Sequence, residues 1–264
     1  TDRSRGLGDV YKRQLYMKNK IWIVGMGPGN EEMMTGRAIE VLEQVDVIIG
    51  YTVYLDLLGE RFQDKEFLST PMRQEEKRCR MCFEEAEKGK SVAMVCSGDA
   101  GVYGMASLMY EIGKEYPALS LEVIPGITAA NSGAAVLGAP LNHDYCVISL
   151  SDLMTPWELI EKRLIMAARG DFAIALYNPS SRKRADYLER ACKILLREIE
   201  PERACGYVEN IGRENTACEV CTLAELRECQ VNMFTTVFIG NSRTKIIGGK
   251  LVTPRGYVLP DPAV

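Results

Sequence analysis

The chain has 264 residues, 36 acidic against 32 basic side chains, a net charge of −4 and a single histidine. Apolar residues make up 47% and charged residues 26%, a composition of globular rather than disordered chains, and the length suits one or two domains. The acidic balance argues against a general nucleic-acid binder, and one histidine rules out poly-histidine metal sites.

Residues 1–16 are polar, without period, and are expected to be a non-native or disordered leader outside the fold. Ile21–Val24 (IWIV) then reads as a buried strand running into Gly25-Met26-Gly27-Pro28-Gly29. Thr35–Gln44 carries a helical stripe, Val45–Ile49 a second strand, and Glu75–Gly89 a charged helix closed by glycine. Ser91–Cys96 is a strand leading into Ser97-Gly98-Asp99-Ala100-Gly101, a helix follows to Lys114, and Leu121–Ile124 is a strand. In the second half Tyr145–Leu150, Phe172–Leu176, Ala204–Glu209 and Met233–Ile239 read as strands, and Pro156–Ala168 and Ser181–Ile199 as helices. The alternation predicts an α/β protein with mixed or mostly parallel sheets. Punctuation at Pro125-Gly126 divides it into lobes over 17–124 and 125–264, with one long doubly wound sheet as the alternative that periodicity leaves open.

Nine scattered cysteines do not make a disulfide scaffold, and no secretion signal is present, so reduced thiols and a cytoplasmic location are expected. Two Cys-x-x-Cys pairs, Cys79/Cys82 and Cys218/Cys221, invite metal binding. In a strand-like stretch, positions i and i+3 point to opposite faces, which spoils a chelate at Cys218/Cys221. A structural role is expected for both pairs, with no metal. The longest uncharged stretch, Val123 to Asn142, is built from small residues and does not suit a membrane span.

Several small or polar turns follow strands directly, where α/β proteins bind ligands. Gly25-x-Gly27-Pro28-Gly29 departs from the dinucleotide fingerprint, and Pro28 lacks the amide donor a phosphate cradle would use. In the 97–104 turn, glycines permit close backbone approach. Asp99 either accepts hydrogen bonds from a ligand or caps the following helix. No G-x-S-x-G elbow exists, so serine nucleophile chemistry is not expected.

Taken in order, VGMGPGN (24–30), SGDAGVYGMA (97–106), VIPGITAANSGAAVLGAPL (123–141), HDYCVISLSDLMTPWE (143–158), YNPSSRKR (177–184) and GRE (212–214) form a specific set. This set resembles the tetrapyrrole methyltransferases of cobalamin biosynthesis, over essentially Lys20 to Tyr257. Asn142 departs from the Gly expected before His-Asp. The resemblance implies two α/β lobes with mixed sheets, an active site in the cleft between them, and a homodimer. S-adenosylmethionine would be the cofactor and S-adenosylhomocysteine its product. Cofactor contacts carried over by position are Pro28, Gly98, Asp99, Ala100, Val102, Tyr103, Thr128, Ala129, Tyr177 and Val208. Substrate contacts are Ser151, Asn178, Ser180, Arg182 and Arg184, the arginines facing the acidic arms of a tetrapyrrole. The implied reaction is methylation at C-17 of precorrin-3B or its cobalt-containing counterpart with ring contraction; the alternative is C-11 of the next precorrin, precorrin-4, or the reaction of another tetrapyrrole methyltransferase. His143, Asp152 and Glu209 are the candidate proton-transfer residues, with Asp144 beside His143. No nucleic acid and no membrane partner are expected.

Overall fold

The structure, a computed structural model, describes residues 19–181 and 183–258. The leader expected over 1–16, and Arg182, lie outside the described residues. Backbone packing divides the chain into two compact units that change over between Ala129 and Ala130, where the expectation divided it before Pro125.

In the first unit β1 (Lys20–Gly25), β2 (Val47–Tyr51), β3 (Glu66–Thr70), β4 (Val92–Cys96) and β5 (Ser120–Ile124) form one parallel sheet, ordered β3-β2-β4-β1-β5. β1 and β4 are central and covered on both faces, which is why they read as continuous apolar runs. Strand alternation sends Trp22 and Val24 to one face, where α1 (Gly36–Gln44) packs Ala38, Val41 and Leu42. Thr35 caps α1, its Oγ1 accepting the Ala38 N–H at 3.1 Å. After the short helix α2 (Thr52–Leu55), α3 (Glu75–Glu87) and α4 (Ala106–Gly113) cover the other face, packing Cys79, Cys82, Phe83, Met109 and Ile112 against Ile21 and Ile23. β3 is an edge strand with an exposed Glu-Phe start, and it carries no sequence signal strong enough to predict it.

The second unit contains α5 (Ala129–Leu137), β6 (Gly138–Ala139), β7 (Tyr145–Ser149), α6 (Trp157–Arg169), β8 (Ala173–Tyr177) and α7 (Tyr187–Leu195). There follow β9 (Ala204–Glu209), β10 (Ala217–Thr222), α8 (Leu223–Leu226), β11 (Thr235–Ile239), β12 (Lys245–Ile247) and β13 (Lys250–Val252). Its main sheet is mixed, ordered β10-β9-β11-β8-β7, with β7 and β8 parallel and β11 antiparallel to both β8 and β9. One face packs Ile174, Leu176, Val237 and Ile239 against α6, α7 and α8. On α5, a Cβ added at Gly133 would stand 2.8 Å from the Phe238 ring, so this helix approaches β11 where a side chain is missing. β12, β13 and β6 make a small third sheet that periodicity does not predict.

One expected element needs correction. The helix predicted over Ser181–Ile199 begins only at Tyr187. Ser181 and Arg184 exchange backbone bonds, at 3.2 Å and 2.9 Å, and that closed turn takes Lys183 and Arg184 out of any helix.

Candidate functional site

Because the first sheet is wholly parallel, the loops after β1, β4 and β5 leave from one edge. They are joined backbone to backbone. Gly27 N–H donates to Gly98 O at 3.0 Å, and Gly98 N–H donates to Gly27 O at 2.7 Å. Both glycines have positive φ, +76° and +68°, which side chains resist. A Cβ on Gly126 would lie 2.1 Å from Gly98 O, and one on Gly25 would lie 2.6 Å from Gly126 N. The three loops therefore meet only as glycine.

Asp99 completes the joint. Its Oδ1 accepts the Gly101 N–H at 2.8 Å and its Oδ2 the Gly126 N–H at 2.9 Å. Since α4 begins only at Ala106, Asp99 ties two loops together rather than capping that helix. Each oxygen keeps a further lone pair for a hydroxyl or amine. Tyr103, 56% exposed, holds φ +53°, an uncommon backbone state for a bulky residue. Pro28, Gly98 and Ala100 are buried, whereas Val102, Thr128 and Ala129 are half-buried.

In the second unit β7, β8 and β9 run in one direction, so Ser149, Tyr177 and Glu209 finish at one edge. The Tyr177 hydroxyl accepts the Ala130 N–H at 2.7 Å, satisfying a free amide of the first turn of α5. Asn178, at φ +55°, donates from Nδ2 to Ser149 Oγ at 2.9 Å, and the same oxygen accepts the Ser151 N–H at 3.2 Å. Ser180 is buried. Arg184 Nε lies 2.7 Å from Asp152 Oδ1. Glu209 Oε1 accepts from the Thr235 hydroxyl at 3.3 Å, while the Val208 side chain is fully enclosed.

The structure thus gathers Ser151, Asp152, Asn178, Ser180 and Arg184 on the loops after β7 and β8, with Glu209 on the same edge. His143 is elsewhere. It precedes β7 with Asp144, the two side chains 3.5 Å apart and both exposed. The strand separates that pair from Ser149 by roughly 16 Å, at about 3.3 Å per residue.

Sequence reasoning missed the residues packed behind Asp152. Tyr187, on α7, is 6% exposed, its ring 4.9 Å from that of Trp157. The Arg190 guanidinium stacks 3.9 Å from the Trp157 ring and 5.3 Å from the Tyr187 ring. Hydrogen bonding from Tyr187, with the Arg184 charge, holds the Asp152 carboxyl below the usual carboxylate range. Burial and the same bond raise the Tyr187 phenol. The signal was the i, i+3 spacing of Tyr187 and Arg190 on one helix face.

Cys79 and Cys82 are fully buried in α3, and burial pushes the Cys79 thiol up to about 12. Cys218 is exposed and Cys221 buried, on opposite faces of β10. Among the described residues no three His, Cys, Asp or Glu side chains are grouped to hold a metal ion. No helix among them is long and apolar enough to cross a membrane.

Comparison with known proteins decides the family, because the model of the tetrapyrrole (corrin/porphyrin) methylases matches residues 20–227. The chain belongs to the tetrapyrrole methylases. This methylase is 44% identical over 246 residues to a cobalt-factor III methyltransferase of Priestia megaterium, covering 91% of this chain and 46% of that protein. The chain thus spans about half the length of that relative. It is 42% identical over 238 residues to a probable cobalt-factor III C(17)-methyltransferase of Salmonella typhimurium, covering 90% of this chain and 99% of that one. The crystal structure of the methyltransferase CobJ superposes on this methylase with a TM-score of 0.83 at 36% identity, covering 90% of this chain and all of that one.

Proposed function

We propose that this tetrapyrrole methylase transfers a methyl group from S-adenosylmethionine to C-17 of precorrin-3B or cobalt-factor III, with ring contraction, in cobalamin biosynthesis. The observation that carries the reading is the 42% identity to the Salmonella typhimurium protein, nearly end to end on both chains.

When bound, S-adenosylmethionine supplies a methyl on a sulfonium for in-line displacement, so the protein's part is orientation and exclusion of water. The first unit's loops fit such a ligand. Glycines bring backbone donors and acceptors to the sheet edge, and the exposed Tyr103 ring offers an apolar face. Two amides already engage the Asp99 carboxylate. A bare carboxylate against the sulfonium would stabilise the ground state more than the transition state. Asp99 would therefore receive amino or ribose groups on its remaining lone pairs, with Pro28, Gly98, Ala100, Val102, Thr128 and Ala129 around it.

For the substrate's acidic arms, the second unit offers Arg184 with Ser151, Asn178 and Ser180. Ring contraction needs proton transfer. Asp152, pinned in its ionised form by Tyr187 and Arg184, is poorly placed to move a proton. Glu209, held by Thr235 and in no salt bridge among the described residues, suits that role better. The reading includes a cytoplasmic homodimer. Exposed Ile246, which shares a cavity lining with Cys218–Val220 of the edge strand β10, and its exposed neighbour Ile247 would lend it apolar surface, and light scattering of purified protein tests it.

The deciding experiment incubates the protein with S-adenosylmethionine and either metal-free precorrin-3B or cobalt-factor III, followed by mass spectrometry. A product heavier by one methyl and methylated at C-17 is expected. A product methylated at C-11 would overturn the regiochemistry, and no methylated product from either precursor would overturn the activity.

A further inference from the structure

We propose that Arg78 is a substrate-binding residue, whose guanidinium takes a carboxylate on an acidic arm of the tetrapyrrole at the edge of the first unit's sheet. This deepens the reading above and rests on it for the nature of the substrate.

Arg78 lies in the first turn of α3 and is 5% exposed. Its Nε donates to Thr70 Oγ1 at 3.0 Å, and its Nη2 donates to Thr70 O at 3.5 Å and to Pro71 O at 3.2 Å. The guanidinium carbon stands 5.7 Å from the centre of the Tyr51 ring. A cation this deeply buried is ordinarily matched by an acid. Arg78 has none: among the described residues it is in no ion pair. The acids of the same helical turn are engaged elsewhere, Glu75 Oε1 with the Arg73 N–H at 3.2 Å and Glu76 with Arg80 at 3.0 Å.

Three neutral acceptors therefore hold the guanidinium still and leave its charge unmatched. The two N–H groups on Nη1 meet no acceptor among the described residues, and that nitrogen is not sealed from water. The Tyr51 hydroxyl likewise makes no hydrogen bond among them. A fixed cation with free N–H groups suits a carboxylate, which brings both the missing charge and the missing acceptors. Tying α3 to β3 would need only a neutral donor, so the charge exceeds what a structural contact requires.

The position fits the substrate. Tyr51 and Thr70 end β2 and β3 on the edge from which the loops after β1 and β4 depart, because the sheet is parallel. β2 is two strands from β1, a span of about 10 Å. Methyl transfer requires the accepting carbon at the cofactor's methyl, so the macrocycle lies across this edge with its acidic arms around its rim. S-adenosylmethionine also carries a carboxylate, but its own ammonium stands beside that group. An acetate or propionate arm brings no cation, and it is the better match for an unpaired guanidinium.

The probe is uroporphyrin, whose rim carries acetate and propionate arms, titrated into the full chain by fluorescence, beside calorimetry with S-adenosylmethionine. Arg78→Gln keeps a donor and removes the charge. Its affinity for uroporphyrin is expected to fall about tenfold, with that for S-adenosylmethionine unchanged. Arg78→Lys, which keeps the charge without the fork, should lose about threefold, and it carries the test if Arg78→Gln does not fold. Thr70→Val cuts the tie to β3 and spares the guanidinium, so it should lower the urea midpoint while costing less porphyrin affinity than Arg78→Gln. Uroporphyrin affinity equal to wild type in the Arg78 variants, or affinities for both ligands falling together, would show a structural residue and overturn the proposal. Loss of S-adenosylmethionine affinity alone would assign the guanidinium to the cofactor and overturn it as well. In turnover of cobalt-factor III, Arg78→Gln should raise KM with kcat little changed. If the wild type methylates no tetrapyrrole, that failure counts against the functional reading, and the uroporphyrin comparison still decides Arg78. A wild type that binds no uroporphyrin overturns the proposal.

Discussion

Asp99 gives one carboxylate oxygen to the Gly101 amide and the other to the Gly126 amide, so its loss frees two loops at once. Charged hydrogen bonds of this kind contribute about 1.5–3 kcal/mol each. Asp99→Ala should therefore weaken S-adenosylmethionine binding by at least about tenfold in calorimetry, and Asp99→Asn, which keeps one acceptor, by less. An Asp99→Ala protein of unchanged affinity would remove the residue from the cofactor site. The thiols make a second residue-scale prediction. Thiolate is the reactive form, and burial pushes Cys79, Cys192 and Cys221 up to about 12. In native protein a thiol reagent followed by peptide mass spectrometry should mark the exposed Cys218 first, with the buried three reacting only on unfolding. Asp99 was legible in the sequence because a carboxylate on a glycine-rich turn after a strand attracts notice, whereas Arg184 was legible only as part of a basic run expected at the start of a helix. The stacking of Arg190 on Tyr187 and Trp157 was not, since a tyrosine in an amphipathic helix looks the same whether its ring carries a cation or only fills the core.

At the scale of elements, β1 and β4 were legible because a strand covered on both faces must be apolar at every position. The edge strand β3 faces water and carries no such demand. The overlong helix predicted from Ser181 shows the complementary failure: its residues permit a helix, and the backbone exchange between Ser181 and Arg184 forbids one. Between α7 and β9, Arg203 is 8% exposed, bonded to both Glu200 oxygens at 2.7 Å and 3.0 Å and to Gly240 O at 3.0 Å. The bond from Arg203 lowers the Glu200 pKa, so this contribution to stability is present in full above the ordinary carboxylate range. It fades as pH falls through the lowered value, leaving a buried guanidinium short of its partner. Thermal melts between neutral and acid pH should show Glu200→Gln less stable than wild type at neutrality, with the two converging in acid. Thr35→Ala, by comparison, should cost about 1 kcal/mol at any pH, since a hydroxyl cap does not titrate.

For the whole molecule, each unit has its own apolar interior, and each can be probed alone. Phe83→Ala, fully buried between α3 and the first sheet, should cost about 3–5 kcal/mol in urea denaturation. Leu164→Ala, under α6 in the second unit, should cost about 2–5 kcal/mol. The net charge of −4 was a poor guide at this scale, because a polyanionic substrate responds to where cations stand rather than to their sum. The ordered set of turns was the legible part. Its members lie far apart in sequence, and in each unit they leave the sheet from a shared edge. The two-way Gly27–Gly98 bridge extends beyond binding. It makes the first unit's loops a single heritable block: none of Gly25, Gly27 or Gly126 can drift to a larger residue unless its neighbours shift in step, and Gly98 is kept by its left-handed backbone. Transplanting this ligand-ready edge onto another parallel sheet would mean carrying all three turns together, in register, or none.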